Sequence, residues 1–87
     1  MPSYKNVMEL LVEEQFDKMA GSLDCCTCDA CRNDIIAFAL NQLPPKYVAT
    51  DKGEVYSKTF SLRSQHLADI MTAITKGANL VRKHPRH

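Results

Sequence analysis

Val7, Leu10, Leu11, Phe16 and Met19 recur at helical spacing between Asn6 and Ala20, and Gly21 gives that run a stop. Glu9, Glu13, Glu14 and Asp17 lie off this stripe. The pattern predicts an amphipathic first helix whose other face meets water or a partner. Ser22 to Thr27 has no periodicity and reads as a loop. A second helix is expected from Asp29, an N-cap candidate, to Gln42. Ile35, Ile36, Phe38, Ala39 and Leu40 make it apolar on most sides, which marks it as the central helix. Pro44-Pro45 ends it, because a proline disfavours helical geometry at the residue before it.

From Lys46 to Phe60 the pattern changes. Tyr47-Val48-Ala49-Thr50 and Val55 to Phe60 are rich in β-branched and aromatic residues, with an Asp51-Lys52-Gly53 turn signal between them. This predicts a short hairpin or an ordered loop. Two strands alone are marginally stable and need a helix or a second chain to pack on. The last helix is expected over Leu62 to Val81, capped by Ser61 or Ser64, with Leu67, Ile70, Met71, Ile74, Ala78 and Val81 as its core stripe. Gly77 within it costs about 1 kcal/mol against alanine and implies a close helix contact. The fold class is therefore mainly α: three principal helices, a cysteine-rich loop and a short hairpin in one domain.

Length sharpens this picture. Eighty-seven residues lie near the lower limit for a self-sufficient core, and chains of this size often add a metal, disulfides or a partner subunit. The formal net charge of +1 gives no support to an electrostatic nucleic-acid binder, although the tail from Arg82 to His87 is basic. Apolar runs fall far short of the roughly 18 residues of a membrane span. The N-terminus has no signal-peptide layout. The expected location is the cytoplasm, where structural disulfides are uncommon.

The candidate chemistry begins with Asp24-Cys25-Cys26-Thr27-Cys28-Asp29-Ala30-Cys31, which holds all 4 cysteines of the chain. Zinc takes four soft or borderline ligands in a tetrahedron, and Cys26, Cys28 and Cys31 supply three at a helix start. The helix N-terminus favours thiolate over thiol there. Cys25, His66, His84 and His87 are the candidates for a fourth ligand. Disulfide pairing fits neither the compartment nor the vicinal geometry, and no βαβ pattern supports a redox role for Cys28 with Cys31. Such a cysteine-rich site is structural, and Asp24 and Asp29 shape its loop. No Gly-rich phosphate loop or Ser/His/Asp set is recognisable, so the chain is not expected to be an enzyme.

The run from Cys26-Thr-Cys28-Asp-Ala-Cys31 through Ala39-Leu40-Asn41-Gln42-Leu43-Pro44-Pro45-Lys46-Tyr47-Val48, with Pro85-Arg86-His87 at the end, closely resembles the late competence development protein (ComFB-like) family. The resemblance implies a small, mostly helical homodimer with a cysteine-bound zinc in each subunit. It carries the motif cysteines onto Cys26, Cys28 and Cys31. Some members complete the site with a cysteine beyond the Pro-Arg pair, where this chain has His87. His87 is thus the preferred fourth ligand, with Cys25 next. The resemblance further implies a signalling module that binds a cyclic dinucleotide, cyclic di-GMP or cyclic di-AMP, and passes the signal to a downstream protein. The other reading is a structural adaptor for competence or motility that acts by protein–protein contact.

A cyclic dinucleotide offers two phosphates and two purines, so a receptor needs cationic or N–H donors and flat stacking surfaces. Lys46, Tyr47, Thr50, Tyr56, Arg63, Gln65 and His66 are of the right kinds. A two-fold ligand suits a two-fold dimer interface. Taken singly, each residue also has a plain reading. Tyr47 and Tyr56 would pack on the helices, Lys46 and Arg63 would be solvated or ion-paired, and His66 would lie on the surface.

Overall fold

The computed structural model describes residues 4–23, 25–26, 28–49 and 54–84, with 54–60 described as helical backbone only. A short strand, β1 (Tyr4–Asn6), leads directly into α1 (Val7–Met19), which ends in a single 3₁₀ turn over Ala20–Ser22. After the cysteine loop come α2 (Asp29–Gln42), β2 (Tyr47–Ala49) and α3 (Glu54–Lys83).

Three differences from the sequence expectations are physical. First, the strand that pairs with β2 is β1, not the segment from Val55 to Phe60, which is the opening of α3. The β-branched and aromatic residues there gave a false strand signal, because continuing a long amphipathic helix overrides local propensity. The Asp51-Lys52-Gly53 turn lies outside the described residues. Second, α3 starts at Glu54, so neither Ser61 nor Ser64 caps it. Third, the N-cap of α2 is Cys28, with extended backbone, and Asp29 is the first helical residue. Asp29 still places its carboxylate in the first turn, where the helix dipole favours it.

The core is a three-helix contact. From α1 come Met8, Leu11, Val12 and Phe16, from α2 Cys31, Ile35, Ile36 and Ala39, and from α3 Ile70, Ala73, Ile74, Ala78 and Val81. The buried arc of α1 takes in Met8 and Val12, which the sequence stripe omits, while Leu10 and Met19 are only half-buried. An element lodged against two neighbours buries a wider arc than a single stripe. On α3 the reverse holds: Leu67 and Met71, placed in the core by periodicity, are 36% and 40% exposed. The buried face of α3 runs through Ile70, Ala73, Ile74, Gly77, Ala78 and Val81 and leaves out Leu67 and Met71.

Gly77 shows why small residues sit there. A Cβ at this position would lie 3.2 Å from the Ile35 carbonyl oxygen, 3.2 Å from Phe38 Cδ1 and 3.3 Å from Ile35 Cγ2. One of those neighbours is helical backbone and has little room to move. Gly77→Ala is expected to forfeit the roughly 1 kcal/mol that alanine ordinarily gives a helix, and Gly77→Val to destabilise by about 2 kcal/mol or more. Urea denaturation midpoints check both. A Gly77→Ala protein about 1 kcal/mol more stable than the parent would contradict the close crossing.

Candidate metal centre and ligand groove

The cysteine cluster is set by the start of α2. Cys28 is exposed at the N-cap, and three residues on, Cys31 is fully buried in the first turn. The Cys28 carbonyl accepts the Arg32 N–H at 2.7 Å, which closes that turn. Arg32 then ties α2 to α1, with its guanidinium 5.6 Å from the centre of the Phe16 ring and 3.5 Å from Asp17. Cys25 and Cys26 are half-buried against the core.

The Sγ atoms of Cys26, Cys28 and Cys31 all lie within 4.8 Å of one another. Thiolates in tetrahedral zinc stand about 3.8 Å apart, as follows from a Zn–S bond of about 2.3 Å. The trio therefore needs only a small contraction to close on such an ion. The Cys28 thiol is held below its usual range, first by the Cys31 backbone N–H facing its sulfur, then by the thiols of Cys26 and Cys31. A thiolate-favouring position among two further sulfurs is the donor chemistry that zinc selects. Among the described residues, Cys25, His66 and His84 do not join the trio as further donors within that distance. His87 and Asp24 lie outside the described residues.

The second feature follows the other end of α2. Pro44-Pro45 delivers the chain to β2, which pairs antiparallel with β1 in the register Tyr4↔Ala49, Lys5↔Val48, Asn6↔Tyr47. Asn6 fastens this corner. Its Oδ1 accepts the Met8 N–H at 3.2 Å as the N-cap of α1, and also the Lys46 N–H at 2.9 Å. The Val7 N–H in turn donates to the Lys46 carbonyl at 2.7 Å. Against this corner lies a groove of about 400 Å³ lined by Pro45, Lys46, Tyr47, Val48, Ser61 and Leu62.

Of the sequence-predicted ligand residues, Lys46 and Tyr47 line the groove. Tyr47 is not packed on the helices: it is 63% exposed, and its ring meets that of Tyr4 edge to face, with centroids 6.1 Å apart. Gln65 is exposed and His66 half-buried. Each lies four residues along α3 from a groove residue, Ser61 and Leu62 respectively, so they continue the same side of the helix. Arg63 points elsewhere and pairs with Glu14 of α1, which realises its plain reading as an ion-pair partner. Thr50 and the side chain of Tyr56 lie outside the described residues. Sequence reasoning missed Asn6 and Tyr4. The Asn before an apolar helical run was a legible capping signal. Nothing local signalled the pairing of Tyr4 with Tyr47.

Comparison with known proteins finds relatives that match nearly the whole chain. The family model described as "Late competence development protein ComFB" matches residues 5–85. The Competence protein ComFB of Bacillus subtilis (strain 168) is 30% identical over 81 residues, covering 92% of this chain and 83% of that protein. A solved structure titled "Structural characterization of the late competence protein ComFB from Bacillus subtilis" superposes with a TM-score of 0.80 at 28% identity. It covers 94% of this chain and 93% of its own.

Asn6→Ala removes one acceptor that serves two backbone donors, so it is expected to destabilise by about 2 kcal/mol. Asn6→Asp keeps the acceptor and adds charge at a helix N-terminus, so it should retain most of the stability. Chemical denaturation of the pair of variants checks this, and equal losses would rule out the shared acceptor.

Proposed function

The chain belongs to the late competence development protein ComFB family, and on that premise we propose that it is a non-enzymatic cytoplasmic signalling module, a zinc-stapled homodimer that binds a cyclic dinucleotide. The observation that carries the ligand reading is the groove beside the Asn6 corner, where a lysine and an exposed tyrosine stand side by side. Its volume of about 400 Å³ falls within the range of small-molecule sites, about 300–1,000 Å³. In this reading Tyr47 stacks a purine, and Lys46 meets a phosphate. Gln65 and His66 extend the polar contacts along α3 beyond Ser61 and Leu62, and Thr50, the next residue after β2, is a further candidate from the sequence. Arg63, already paired with Glu14, has a positioning part, holding α3 to α1 beneath the site. A ligand with two-fold symmetry is met by two copies of the groove across a dimer axis.

Zinc in this proposal is structural. Cys26, Cys28 and Cys31 hold it, and the fourth position falls to His87 or Cys25. The ion supplies a cross-link between the loop and the buried first turn of α2, which adds stability that an 87-residue core needs. A second reading, an adaptor that docks a downstream protein, is favoured by one observation. Leu67 and Met71 present apolar surface four residues apart on α3.

Isothermal titration of the zinc-loaded dimer with cyclic di-GMP and cyclic di-AMP tests the ligand. Saturable heat with at least one is expected, and heat with neither ends the proposal. A pull-down whose stoichiometric partner ignores both nucleotides would favour the adaptor.

Chelation of the metal, or Cys28→Ser, is expected to lower the melting temperature by at least roughly 10 °C. Unchanged melting after verified metal loss would show that the ion is no staple. The pH sign follows from the lowered Cys28 thiol. Its folded-state preference for thiolate stabilises the protein above the ordinary thiol range and is lost as pH falls through the lowered value. Protons compete with zinc for the thiolates, so release of the ion to a chromophoric chelator is expected to rise as pH falls.

A further inference from the structure

We infer that Tyr4, carried by the N-terminal strand, forms with Tyr47 a two-ring purine platform at the mouth of the groove. This rests on the reading of that groove as a cyclic-dinucleotide site, and it adds a residue that the sequence motif does not contain.

Exposure comes first. Tyr4 is 67% and Tyr47 63% exposed, the two most exposed large apolar side chains among the described residues. Neither belongs to the core cluster, so packing of the fold does not account for them. Their placement comes from the register of β1 on β2. Asn6 lies opposite Tyr47 and Tyr4 opposite Ala49, so the rings are diagonal neighbours on one face of the pair. Their planes meet at 71°, with centroids 6.1 Å apart. Two rings at that angle make a floor and a wall. A flat base stacks on one ring and is bounded by the other, whose phenol can donate to or accept from a base edge.

The scaffold under the rings is held firmly. Both strands are tied through Asn6 Oδ1 to the Lys46 N–H, and through the Val7 N–H to the Lys46 carbonyl. A platform fixed before the ligand arrives loses little freedom on binding. The charge around it suits a nucleotide. Lys46 lines the groove, while Lys5, opposite Val48, lies on the other face of the strand pair from the two rings. A cation in the groove and two exposed rings next to it suit a ligand that carries both phosphate and purine. A short single-stranded oligonucleotide shares that chemistry, so the test separates the two sources.

The experiment titrates the full-length protein with cyclic di-GMP, cyclic di-AMP and a short deoxyadenylate oligonucleotide, using the parent, Tyr4→Ala and Tyr4→Phe. Tyr4→Ala is expected to weaken cyclic-dinucleotide affinity roughly 5- to 150-fold with unchanged thermal melting. Tyr4→Phe keeps the ring and should stay within about two-fold of the parent. Parent-like binding by Tyr4→Ala would overturn the platform while leaving the cyclic-dinucleotide reading intact. A phenylalanine variant as weak as the alanine one would overturn stacking in favour of the hydroxyl. A parent that binds neither dinucleotide removes the reading beneath the inference, and one that binds only the oligonucleotide reassigns the purine and overturns it too. The chain contains no tryptophan, so Tyr4→Trp places a single, selectively excitable indole at the platform. Its quenching on saturation is expected, and unquenched emission at saturating ligand would refute stacking even if the alanine variant misfolds.

Discussion

The close crossing of α2 and α3 at Gly77 is the constraint on which the rest of the molecule hangs. A glycine at this point lets the Ile35 carbonyl and the Phe38 ring come within 3.2 Å of where a Cβ would stand. That approach lets one 14-residue helix fill the middle of a small core without long side chains on both sides. Ile35 and Ala39 of α2 and Ile70 and Ile74 of α3 are then buried completely, and α1 closes over them with Met8, Leu11, Val12 and Phe16. A larger residue at 77 would separate the helices and open voids along the whole seam, and voids in close-packed interiors are costly.

Both candidate sites inherit their geometry from that seated helix. Cys31 is buried because the first turn of α2 is buried, and Cys28 is exposed because it sits three residues earlier at the N-cap. At the other end, Pro44-Pro45 stops α2 and turns the chain toward the strand that lies along β1. Asn6 then does two things with one oxygen: it caps α1 and it accepts from Lys46. A side chain that satisfies two helix-corner donors fixes the start of α1 against Lys46, next to the groove.

Helix number, the bounds of α2 and the cysteine trio were all legible in the sequence, because each rests on a local signal. Periodicity marks α1, a double proline ends α2, and spacing alone brings Cys26, Cys28 and Cys31 together. What was not legible depended on contacts distant in sequence. Val55 to Phe60 has strand-like composition yet begins α3, since a 30-residue helix carries its opening turns with it. Leu67 and Met71 fit the helical period and still fall outside the core, because the arc of α3 that is buried runs through Ile70, Ile74, Ala78 and Val81. Tyr4 could be matched to Tyr47 only once β1 and β2 were paired across some 40 residues. Arg63 could be assigned to Glu14 only once α3 lay beside α1.

The placement of the two sites on α2 also separates their roles. The thiol cluster lies at the N-terminus of this helix and the groove follows its C-terminus. Fourteen residues of helix span roughly 20 Å. At that distance an ion held by the cysteines cannot touch a ligand in the same subunit's groove. Its influence there must pass through the seating of α2: a loosened first turn frees Cys31 from the core, and the helix that positions Pro45 and Lys46 loses one of its anchors. Metal loss should therefore act on ligand affinity only to the extent that it unfolds the protein. In the proposed reading the cysteine cluster serves the architecture, and recognition is left to the corner that Asn6 holds.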